Sequence, residues 1–211
     1  MIFERTVLLL VGLIIGCGVS AEEALSAPVY KVGHSCTHVR TTGGRALQPI
    51  TQKVVAVNPE GFTADMVNPN GFVIETWSFT PAGNPKGRQN NFGKTAWDPY
   101  VPYFKWPAKV GDTWEGAYSY LAQGGGIGMV KAKAKVAGEE KVTGPAGTFD
   151  TIKIVLDGTY QESYGSGRRD EIIWYAPSIQ CIAKSTLQAT RPDGAVVIDE
   201  SRVLTAYEKA P

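Results

Sequence analysis

His34, Cys36 and His38 occupy alternate positions of the stretch VGHSCTHV, which holds both histidines of the chain and one of its three cysteines. Imidazole and thiol are the groups that ligate zinc and that form nucleophile–base dyads, so the spacing has to decide what chemistry is open to them. On a strand the three share a face, but a rise of ~3.3 Å per residue puts the histidine Cα atoms ~13 Å apart, too far for easy joint ligation with Cys36. On a helix His34 and His38 converge while Cys36 points elsewhere. No CxxC, HExxH or CxxCH pattern occurs, and a metal site would need a distant carboxylate to complete it. A catalytic cysteine needs a base brought against it, whereas residues two apart on a strand project in parallel. The expectation is no metal, no cofactor and no catalytic residue, with the roles of His34 and His38 left open.

A third chemistry follows from the compartment. The opening MIFERTVLLLVGLIIGCGVSAEEA places a short charged start before an apolar run from Val7 to Ile15, which is an export signal and too short to span a bilayer. Two cleavage sites compete. Val19-Ser20-Ala21 carries the small residues that a signal peptidase reads and makes residues 1–21 the signal. Ile14-Ile15-Gly16-Cys17 has the form of a bacterial lipobox, which makes residues 1–16 the signal and lipidates Cys17. Either way Cys36 and Cys181 are the two free thiols of an exported chain, and in an oxidising space such thiols commonly pair. That bridge would tie the first strand to one of the last and contribute roughly 4 to 5 kcal/mol on the chain-entropy estimate.

The elements that must position these residues are strands. Glycine (24) and proline (13) are frequent, and apolar residues alternate with polar ones instead of recurring every three or four. In MVKAKAKVAG, Val130, Ala132, Ala134 and Val136 share one face and Lys131, Lys133 and Lys135 the other. TIKIVLDG, TWEGAYSYL and segments near Ser35–Thr42, Gln48–Asn58, Gly61–Asn68, Gly71–Phe79, Asp170–Ala176, Ile179–Ala189 and Ala195–Tyr207 read the same way, joined by the turns NPEG, NPNG and RPDG. The fold class expected is all-β: an antiparallel curved sheet or incomplete barrel of roughly nine to eleven strands. Residues 22–211 form one domain, ample for a core. KVGHSCTH from Lys31 aligns with KVGDTWEG from Lys109, which suggests two half-repeats with Cys36 in the place of Trp114. Between the halves, residues 81–103 show no sustained alternation and read as a long loop.

The remaining candidates name no reaction. The 21 basic and 20 acidic residues nearly cancel and are spread along the chain, so no stripe argues for nucleic acid. GRRDE, Arg168 to Glu171 with its preceding glycine, reads as a solvated turn entering a strand. No GxSxG elbow occurs, and no histidine stands ready to serve a serine. Nothing nominates an enzyme.

GPAGTFDTIKI, Gly144 to Ile154, followed by WYAPSIQCIAKS, Trp174 to Ser185, resembles a group of uncharacterised secreted bacterial β-proteins, domains of unknown function related to the TapB proteins. WPAKVGDTWEG, Trp106 to Gly116, looks like the segment that precedes these motifs in that group. The resemblance implies an antiparallel barrel-like or curved sheet and supplies no catalytic residues. Gln180-Cys181 and Cys36 depart from the pattern together, as a gained bridge would. The functional expectation is an exported periplasmic or envelope protein that binds a hydrophobic or amphipathic ligand in an apolar concavity, with Trp97, Tyr100, Tyr103 and Trp106 closing its mouth. The rival is an assembly protein of the envelope acting through a sheet edge. No nucleic acid is expected as a partner, and membrane contact only through a lipidated Cys17.

Overall fold

The computed structural model describes residues 24–121, 126–163 and 165–210. Cys17 and both cleavage sites lie outside them. Thirteen strands follow in order. The first seven are β1 (Ser35–Thr42), β2 (Arg45–Ala46), β3 (Ile50–Asn58), β4 (Gly61–Val67), β5 (Val73–Phe79), β6 (Pro85–Asn90) and β7 (Gly93–Asp98). The rest are β8 (Thr113–Leu121), β9 (Ile127–Gly144), β10 (Gly147–Glu162), β11 (Gly165–Ala176), β12 (Cys181–Thr190) and β13 (Val196–Glu208). Each pairs antiparallel with its neighbours, and β13 returns to pair with β1 from Ser35↔Glu208 to Thr42↔Glu200. The sheet therefore closes into a 12-strand barrel, with the short β2 lying outside the ring on β1. The expected nine to eleven strands and open edge are corrected: every strand of the wall has a paired neighbour on both sides, the β7–β8 ladder being the shortest.

The missing strands are β6 and β7, which lie inside the segment read as a loop. Their hairpin completes the wall between β5 and β8, although β7 meets β8 over only Trp97↔Tyr120 and Asp98↔Ser119. PKGRQN carries no apolar alternation because its inward side chain, Arg88, faces a polar interior. The true connection is 99–112, and it runs through the barrel and not around it. Val101 and Phe104 are buried, Trp114 Nε1–H donates to the Pro102 carbonyl at 3.0 Å, and a Cβ on Gly116 would stand 2.4 Å from the Pro102 ring. Asn84, 3% exposed, holds this connection like a rung of a ladder: its Nδ2–H donates to the Phe104 carbonyl (2.9 Å) and its Oδ1 accepts from the Phe104 N–H (2.7 Å).

Below the connection the interior is apolar. Phe104 packs with Val136, Ile152, Ile154, Leu156, Ile173 and Tyr175, while Phe62 stacks on Phe79 with centroids 4.6 Å apart. Above it the lumen is open and polar.

The two KVG turns share a backbone pattern. Gly33 N–H donates to Val54 O and Gly111 N–H to Val136 O, both at 2.9 Å. Val54 and Val136 return the bond to His34 O and Asp112 O, again at 2.9 Å. Both valines are nearly inaccessible, and each stands beside a break in register.

Candidate functional site

The cysteine–histidine cluster resolves into a disulfide. Cys36 and Cys181 are joined, with Cα atoms 6.0 Å apart and both residues buried. β12 leaves β13 below Lys184↔Val203, and Cys181 comes under the β13–β1 seam against Leu204. The bond thus staples the place where the two ends of the chain close the barrel. His34 Nε2 lies 3.5 Å from the Cys36 sulfur and 3.8 Å from that of Cys181, so the three do converge. With the sulfurs bonded to each other the arrangement is a packed crosslink. His38 is elsewhere: its Nε2–H donates to the Ile182 carbonyl at 2.7 Å. Burial lowers the pKa of both histidines, that of His38 to about 4.

The second feature is a cavity of about 440 Å³ in the upper lumen, within the range of small-molecule sites. It has two unlike walls. One is mostly aromatic: Trp77 from β5, Trp97 from β7 and Tyr118 and Tyr120 from β8, with Arg88 of β6 among them and Val101 and Tyr103 of the connection as its floor. Trp77 and Trp97 are tilted together with centroids 5.2 Å apart. The other wall is charged: Arg169 and Glu171 from β11, Ser185 from β12, Glu200 and Arg202 from β13. Arg169 meets Glu171 at 3.5 Å, and although burial works against its charge, Glu171 holds its pKa above the ordinary value. Glu200 is 3.6 Å from Arg40, and Glu162 accepts a hydrogen bond from the Tyr120 hydroxyl. Burial raises the phenol pKa values of Tyr103, Tyr118 and Tyr120, so these rings are neutral donors.

Of the four aromatics singled out in the sequence, Trp97 and Tyr103 line the cavity. Tyr100 does not, and Trp106 packs below against Phe104 and Tyr175 while donating to the Ala82 carbonyl. The concavity is aromatic and charged, where an apolar one was expected. GRRDE is also corrected: it belongs to β11, where Arg168 pairs with Asp157 and Asp170 while Arg169 and Glu171 face the lumen. The signal that would have found them is parity, because Arg169 and Glu171 continue the inward series of Ile173 and Tyr175. Glu200 and Arg202 likewise precede buried Leu204 by whole periods of two.

No protein-family model matches the sequence, and no curated protein does. The fold does have solved counterparts. A protein from Bacteroides fragilis, described as exported and of YmcC-like fold, superposes with a TM-score of 0.53 at 16% identity, over 88% of this chain and 100% of its own. A protein from Parabacteroides distasonis described as a lipoprotein gives 0.51 at 14% identity, over 89% and 100%. The hypothetical lipoprotein YmcC from Escherichia coli gives 0.52 at 12% identity, over 85% and 86%. What this chain shares with them is the barrel architecture.

Proposed function

We propose that the protein is a non-catalytic binding module of the bacterial cell envelope that takes an amphipathic ligand into the upper lumen. The observation that carries this reading is the two-walled cavity, aromatic on β5–β8 and charged on β11–β13. Such a surface suits a molecule with one apolar and one polar side. The mouth supports it too. Phe72 and Val73, Phe92, Leu121 and Ile127, and Val196 stand exposed at the tips of the hairpins β4–β5, β6–β7, β8–β9 and β12–β13. Alternate hairpins of an antiparallel barrel turn at the same end, so these residues rim the entrance. Export rests on the signal-like opening, on the bridge, and on the exported and lipoprotein descriptions of the structural counterparts. The motif resemblance to the TapB-related secreted β-proteins points the same way.

The test is a titration of delipidated mature protein with single-chain amphiphiles below their micelle concentrations, followed by tryptophan fluorescence. The expected result is a saturable change that shrinks in Trp77→Phe and Trp97→Phe. Absence of saturable binding for every amphiphile would replace this reading by that of an envelope-assembly protein acting through protein contacts.

A further inference from the structure

We infer that the cavity's ligand is an amphipathic anion, its carboxylate or phosphate held by Arg202 and its apolar body laid along Trp77, Trp97 and Tyr120. This rests on the binding reading above. The argument is an inventory of the lumen's donors and acceptors. The charged wall's carboxylates are engaged, Glu171 by Arg169 and Glu200 by Arg40, while Glu162 accepts from Tyr120. The guanidinium groups are not all engaged. Arg202 is exposed to the cavity and makes no ion pair among the described residues. Arg88 pairs with Glu75 at 3.5 Å, yet its buried Nε has no acceptor there, and a buried donor without a partner is costly.

Register adds a second reason. Arg40 stands directly opposite Arg202 across the β1–β13 ladder; like charges so placed are destabilising, and Glu200 beside Arg40 offsets only one of the two, leaving Arg202 without an ion-pair partner among the described residues. On its other side Arg202 faces Ser185 across the β12–β13 ladder. Ser185 is buried and lines the cavity, and its hydroxyl has no hydrogen-bond partner among the described residues. A guanidinium fork beside a free hydroxyl is a seat for a carboxylate or phosphate oxygen. The aromatic wall across the lumen then covers the rest of the molecule.

Dodecanoate, dodecyl phosphate, dodecyl maltoside and dodecyltrimethylammonium are titrated into the delipidated mature protein, each alone, by tryptophan fluorescence. The two anions are expected to bind at least about tenfold more tightly than the neutral and cationic chains, and their order distinguishes a carboxylate seat from a phosphate one. Arg202→Gln is expected to remove that preference by weakening the two anions at least about tenfold, with an unchanged far-ultraviolet circular dichroism spectrum reporting that the variant is folded. Arg202→Lys is expected to recover part of it. Equal or tighter binding of the neutral or cationic chain, or a preference unchanged in Arg202→Gln, overturns the inference and leaves the binding reading standing. Failure of all four amphiphiles to bind overturns both.

Discussion

Gly33 and Gly111 have the same left-handed backbone, φ +93° at each, and each turns the chain into the first strand of a six-strand run around the barrel. A Cβ at either position would meet no heavy atom within 4 Å. A substitution there therefore tests backbone conformation free of steric clash. Gly33→Ala and Gly111→Ala are each expected to cost about 1–2 kcal/mol, the penalty for an L-residue at positive φ, and to agree with each other within about 0.5 kcal/mol. Urea midpoints of the two variants check this. A cost near zero at either glycine would show that its turn relaxes.

The sequence revealed strands wherever their inward faces are apolar. Ser35–Thr42 is β1 to the residue, and the lysine strand from Met129 to Val136 lies within β9 with Val130, Ala134 and Val136 buried and its lysines exposed. It concealed β6, β7 and the start of β11, although β12 and β13, which also line the cavity, are legible as Ile179–Ala189 and Ala195–Tyr207 because buried Ala183 and Leu204 keep their alternation. β6 directs Arg88 inward, and the start of β11 directs Arg169 and Glu171, so hydrophobic alternation vanishes there. Loss of the strand signal and loss of the site signal have one cause. The charged wall assembles only when β13 closes on β1, a pairing between opposite ends of the chain that no local pattern announces.

The Cys36–Cys181 bond spans 145 residues and sits under that closing seam. Reduction, or the Cys36→Ser/Cys181→Ser double variant, is expected to lower stability by about 3–5 kcal/mol while keeping the strand signature in far-ultraviolet circular dichroism. Under non-reducing denaturing conditions the oxidised mature protein should take up no maleimide. Two labelled cysteines in protein exported to an oxidising compartment would count against a role for the bond in the mature fold.

Asn84 acts through both faces of its amide on a single residue, Phe104, and so fixes the connection that separates cavity from core. Asn84→Ala leaves a buried N–H and a buried carbonyl unpaired, and is expected to cost about 2–4 kcal/mol. Asn84→Asp keeps the acceptor and loses the donor, and should still be destabilising. Because the floor residues Val101 and Tyr103 precede Phe104 directly in that connection, amphiphile affinity should fall in Asn84→Ala. An unchanged affinity alongside lowered stability would mean that the floor is held by Trp114 and the Val101–Pro85 bond.

His38 is the titrating group whose protonation the fold most clearly opposes. Burial pushes its pKa down to about 4 and Arg202 works in the same direction, against the pull of its hydrogen bond to the Ile182 carbonyl. In the unfolded chain the same imidazole titrates at 6.5. Between these values the unfolded state binds the extra proton, so stability rises with pH across the window. The contribution of His38 is complete above pH 6.5 and is lost as the pH falls toward about 4, a change of about 2–3 kcal/mol. His38→Gln replaces the ring with a neutral donor for Ile182 and should flatten this part of the profile. Urea unfolding of both proteins at pH 7.5 and pH 4.5 measures it, with His34 and the carboxylates common to the two. If the wild-type and His38→Gln profiles stay parallel over that interval, the ring is protonated in the native barrel as readily as in the unfolded chain. In that case its hydrogen bond to Ile182 is made by the imidazolium.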